Sequence, residues 1–162
     1  MCAFVPGAQA ASQDDASRLD SEPTAEVMEA AERAYRCALR RGVGRKNIVT
    51  IIDYSRPATD KRLWVMNADT KEILLHERVA HGKNSGWNYT TSFSNKKESL
   101  RTSLGIFRAA EQYTGRHGLS VRLDGLEVGF NHNARARALV IHGASYAEKF
   151  YHNKKKGKRL GR

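Results

Sequence analysis

Between Asn47 and Ser145 the chain is cut into short apolar runs separated by turn residues, and this punctuation constrains the fold more than any other feature. "NIVTIIDYS" is β-branched and has the length of a buried strand. "RLWVMN" and "EILLHERVAHG" flank the turn-like "NADTK" as two arms of a hairpin. A second hairpin pairs "LGIFRAAEQY" with "LSVRLDGLE" across "TGRHG", and "ALVIHG" supplies one more strand. Within the second hairpin Leu119, Val121 and Leu123 alternate with Ser120, Arg122 and Asp124, which predicts one apolar face and one charged face. There is no internal repeat. Such a series predicts a mainly β domain, a sandwich or barrel-like arrangement of short strands.

One helix precedes the strands. In "TAEVMEAAERAYRCALRRG" the residues Val27, Ala30, Ala31, Ala34, Tyr35 and Ala38 recur at helical spacing and predict an amphipathic helix. Its first turn is acidic and its last turn basic, which suits the helix dipole, and Gly42 is the expected stop. Cys37 falls on or beside the apolar stripe and reads as a small hydrophobe, because no charged partner at a helix N-terminus marks it as a nucleophile.

At 162 residues there is room for one full-sized core, and no apolar run approaches the ~18 residues of a membrane span. Residues 1–32 hold seven acids against Arg18 alone, a net of −6, whereas residues 33–162 carry 27 bases and ten acids, a net of +17. A body so basic favours polyanionic surroundings such as nucleic acid, anionic lipid or an anionic cell wall, and charge alone does not choose among them. No recognition helix or stacking motif supports specific nucleic-acid binding. The basic "YHNKKKGKRLGR" end reads as a solvated tail. Residues 1–22 read as a leader and acidic linker, in which "MCAFVPGAQAASQDD" resembles the end of a secretory signal with an A-x-A site at Ala8 to Ala10. A flexible small-residue leader is the other reading of that stretch.

Cys2 and Cys37 are the two cysteines, and neither lies in a C-x-x-C or Cys/His pattern. The six histidines form no H-E-x-x-H or i,i+4 pair, so neither a metal nor a cofactor is expected. The segment "HGKNSGWNYTTSFSNKKES", residues 81–99, is polar but holds Trp87, Tyr89 and Phe93, and reads as a functional lid. His81 and His117 adjoin turn-rich stretches and read as loop histidines. His142 differs, because four apolar residues carry it to the end of a strand, directly before Gly143.

The ordered set "IIDYSRPATDKRLWVMN", "VAHGKNSG", "TSFSN", "TSLGIF", "HGLSVRLDGLE", "GFNHNARARALVIHGASY" and "GKRLGR" resembles the murein L,D-transpeptidase catalytic domain, the YkuD-like branch. Seven collinear motifs carry the likeness over residues 25–162. The resemblance implies a YkuD-like β-rich domain over residues 23–162, in a periplasmic or secreted cysteine acyltransferase acting on peptidoglycan stem peptides. It makes His142, with Gly143 beside it, the base that pairs with a thiolate. Trp87, Tyr89, Arg122 and Asp124 are the candidate substrate contacts; a structural ion pair is the other reading of Arg122 and Asp124. The family's nucleophile lies in a Ser-x-Gly-Cys-Pro motif shortly after an "RLGR"-like segment, and neither Cys2 nor Cys37 holds that position. An incomplete domain that forms no acyl-enzyme is therefore expected, with a non-catalytic wall-binding module or a basic nucleic-acid-binding protein as the alternatives. Oligomeric state is not written in the sequence.

Overall fold

Thr24 starts the first element, and the structure, a computed structural model, describes residues 22–43, 47–144 and 147. Thr24 caps helix α1 (Ala25–Arg40) by accepting the Val27 N–H on its hydroxyl at 3.4 Å. Glu26 stands in the first turn and Arg40 in the last. The helix ends where Gly42 takes the left-handed conformation at φ +70°. No residue of α1 is fully buried, and Cys37 is free and only half-buried. Val27, Met28 and Ala31 rest on the core, whereas Ala30, expected on the apolar stripe, is exposed. The helix thus lies on the body along a narrower line than its alanines suggested.

Beneath α1 lies a three-stranded antiparallel sheet in the order β1 (Ile48–Ile52), β2 (Leu63–Asn67), β3 (Ile73–Glu77). Asn67 turns the β2–β3 hairpin by accepting the Asp69 and Thr70 N–H groups on its side chain at 2.9 and 3.1 Å. The buried apolar cluster of Ile51, Trp64 and Met66 belongs to this sheet. "EILLHERVAHG" is a strand only as far as Glu77. Beyond it the chain answers to a buried cation.

Arg62 is completely buried, and its guanidinium donates to the Val79 carbonyl from two nitrogens (3.2 and 2.9 Å), to the Arg56 carbonyl (2.8 Å) and to the Thr90 hydroxyl (3.3 Å). Nη2, one of the two nitrogens on Val79, also donates to His81 Nδ1 at 3.0 Å, and the group lies 5.0 Å over the Tyr54 ring. Burial pushes the Arg62 pKa down, yet the fork of donors is satisfied by neutral acceptors. The segment from 81 to 99 is stitched down accordingly. Thr102 accepts the Gly82 N–H on its hydroxyl, and Ser85 accepts the Thr102 N–H, both at 2.8 Å. Gly86, at φ +142°, leaves no room for a side chain, because a Cβ there would stand 2.1 Å from the Tyr89 carbonyl oxygen.

The second sheet is antiparallel in the order β4 (Phe107–Gly115), β5 (Gly118–Gly125), β6 (Val140–His142). Arg116 and His117 form the tight β4–β5 turn between the paired Gly115 and Gly118. Strand β6 is shorter than "ALVIHG" suggests: Ala138 sits at φ +54°, and the N–H groups of Ala138 and Leu139 bond back to the Arg135 and Ala134 carbonyls. The alternation along β5 also departs from expectation. Leu119 is 64% exposed and Ser120 is 3% exposed, the reverse of the apolar-in pattern. Ser120 tolerates burial because its hydroxyl donates to the Gly118 carbonyl at 3.1 Å. The mainly β architecture, with two antiparallel sheets and one N-terminal helix, agrees with the expected fold class.

Candidate active site

His142 closes β6, where it pairs with Ser120 across the β5–β6 ladder. Its Nδ1 lies 2.7 Å from the carbonyl oxygen of Gly143. A carbonyl oxygen only accepts, so the neutral ring carries its proton on Nδ1 and presents a lone pair on Nε2. Among the described residues Nε2 has no hydrogen-bond partner. A ring fixed in this tautomer can take a proton at Nε2, as a general base must. Gly143 therefore enters the site through its backbone oxygen, a role that its residue type did not announce. A Cβ at Gly143 would meet nothing within 4 Å, so the described residues impose no packing demand for glycine.

The ring of His117 stacks on His142, with centroids 4.6 Å apart and planes 16° from parallel. His117 is a turn residue, as expected, but sequence reasoning missed its partner, since 25 positions separate the two. His81 lies elsewhere, buried between Arg62 and the Gly86 carbonyl, which its Nε2 meets at 3.3 Å. Arg62 went unremarked because an arginine before a strand ordinarily reads as surface.

Trp87 and Tyr89 stand on the outside of the 81–99 segment, each 56% exposed. Arg122 and Asp124 are held in a chain of charges across the polar face of β4 and β5. Arg122 meets Glu111 at 3.2 Å and lies 4.5 Å over the Tyr113 ring. Asp124 accepts from Arg135 and from Arg108, and Arg135 also forks onto both oxygens of Glu111. The hydrogen bond from Arg135, then that from Arg108, lowers the Asp124 carboxyl to about 2, and Arg135 also brings Glu111 to about 2.

A depressed carboxylate stabilises the fold above its unfolded pKa of ~4, and that contribution disappears as the pH falls through the folded value. The Asp124 side chain is 16% exposed and Glu111 52%, so solvent screens the Asp124 pairs less. Asp124→Asn is expected to lower the urea midpoint at pH 7 and to flatten its decline between about pH 5 and pH 2. Parallel midpoint curves for variant and wild type would show that the network adds nothing.

Cys37 sits on α1, the helix that packs on the first sheet, while the partners of His142 are Gly143 and His117 of the second. Cys2 lies outside the described residues. No group of three or more His, Cys, Asp and Glu residues able to hold a metal occurs among the described residues. No helix among them is long and apolar enough to cross a membrane. No match was found among curated proteins or among solved structures. Residues 20–162 match the family model described as the L,D-transpeptidase catalytic domain, a span that takes in both sheets and the strand ending on His142. The chain belongs to this family, that of the YkuD-like L,D-transpeptidase catalytic domains.

Proposed function

We propose that His142 is the base of a peptidoglycan L,D-transpeptidase site, in a protein working in the cell envelope as a periplasmic or secreted enzyme. The observation that carries the reading is the Nδ1–H of His142 held by the Gly143 carbonyl, which leaves Nε2 as the base. In the reaction, Nε2 takes the proton of a thiol, and the thiolate attacks the carbonyl of the bond between the diamino acid and the terminal D-alanine. Backbone N–H groups hold the oxyanion of the tetrahedral intermediate. The protonated His142 then gives its proton to the departing D-alanine amine, leaving a thioester that an amine or water resolves. Family membership and the exposed aromatic pair support stem peptides as substrate. Contact with the peptide is proposed for Trp87 and Tyr89, since Arg122 and Asp124 already spend their charges on Glu111, Arg108 and Arg135.

The thiol is not that of Cys37, on this reading. Cys37 rides half-buried on α1, the helix that packs on the other sheet through Val27, Met28 and Ala31, and no motif of the family surrounds it. Residues 1–162 incubated with a tetrapeptide-bearing muropeptide are expected to show no mass increment on Cys37. A version extended by a Ser-x-Gly-Cys-Pro segment after Arg162 is expected to form the thioester, with release of D-alanine. A thioester mapped to Cys37 in intact-mass and peptide spectra sinks this assignment.

A further inference from the structure

His117 belongs to neither the proposed chemistry nor the core, yet its ring lies flat against that of His142. The register explains how a turn reaches the base. Ser120 of β5 faces His142 of β6, and Gly118 faces Gly115 of β4, so the β4–β5 turn stands beside the end of β6. Gly118, at φ +79°, completes that turn without side-chain strain. The Arg116 Nε donates to His117 Nε2 at 3.0 Å. A guanidinium has no acceptor, so Nε2 of His117 holds a lone pair and its ring is neutral, protonated on Nδ1.

Among the described residues, His142 is tethered in its ring plane by one hydrogen bond, to Gly143. The torsion that turns an imidazole about its Cβ–Cγ bond is broad, so a single in-plane bond restrains the ring weakly. A flat partner 4.6 Å away restrains it from the face, the direction that the hydrogen bond leaves open. We propose that His117 is a positioning residue for His142: its neutral ring, set by Arg116 and the β4–β5 turn, holds the His142 imidazole with Nδ1 on Gly143 and Nε2 outward. This inference rests on the reading of His142 as the base.

The test is histidine-labelled ¹⁵N spectroscopy of the full chain near pH 8, above the ordinary histidine range of ~6.5. Wild type is expected to show His142 in one tautomer, with well-separated ring nitrogens, and with ring protons displaced upfield by the stacked neighbour. His117→Ala is expected to draw the two His142 nitrogen shifts together and to abolish the upfield displacement. His117→Phe keeps a flat ring but no nitrogen, and is expected to restore both signatures. Unchanged His142 nitrogens in His117→Ala, with the amide shifts of β4 and β5 preserved, overturn the proposal. If the alanine variant loses the hairpin, a folded His117→Phe with averaged His142 nitrogens overturns it instead. The functional reading fails separately: full thioester formation by His142→Ala in the extended version removes the base and leaves the ring-holding contact standing.

Discussion

Arg62→Met is expected to cost about 3–5 kcal/mol of folding stability, the largest effect of any single change outside the chemistry. Methionine fills much of the same volume, so the loss comes from polar groups and not from a void. It strands the Val79 and Arg56 carbonyls, the Thr90 hydroxyl and His81 Nδ1, all of which now receive a guanidinium N–H. Each stranded buried acceptor costs roughly 1–3 kcal/mol, and partial hydration of the loosened loop returns some of that. Arg62→Lys separates charge from shape: an ammonium keeps the charge but lacks the fork that reaches four residues at once, and is expected to lose most of the same stability. Urea midpoints give the magnitude, and hydrogen exchange gives the place, with the amides of residues 81–91 losing protection first. A methionine variant within about 1 kcal/mol of wild type would show that Arg62 is not the keystone of this segment.

His142→Ala is expected to reduce thioester formation by about 10²–10⁴-fold in the extended version that bears the cysteine segment. Its effect on the urea midpoint is expected to be small, because the ring is half-buried and its one hydrogen bond among the described residues goes to the adjacent residue. The contrast between the two measurements matters. A large activity loss with an unmoved midpoint assigns the ring to the reaction, whereas a parallel loss of both makes it a structural residue. A reduction smaller than about tenfold removes His142 as general base.

Much of this architecture was legible in residue order. The helix from Ala25 to Arg40 announced itself through period, cap and stop, because those signals are local: Thr24, Glu26, Arg40 and Gly42 each act within one turn. Both hairpins were legible for the same reason, since Asn67 and the Gly115 to Gly118 turn set their own registers. The strand ending on His142 could be read as well, together with the motifs that place the chain in its family. Alternation along β5 misled at its start, because period 2 separates two faces without saying which of them the rest of the chain covers.

What the tertiary structure decided is where polar atoms find partners. Arg62 and His81 look like surface residues until the fold closes around them, because burial of a cation is tolerable only where carbonyls from distant segments converge. Arg122 and Asp124 shared a face in the sequence pattern, but the neighbours that occupy their charges, Glu111, Arg108 and Arg135, come from β4 and from the 126–139 connection. The histidine was legible from its strand, and its proton was not: the tautomer of His142 depends on the Gly143 carbonyl, and its ring plane meets a turn residue 25 positions earlier. Local sequence determines elements, because their hydrogen bonds close over a few residues; the working geometry of a side chain depends on groups that only folding brings within 3 to 5 Å.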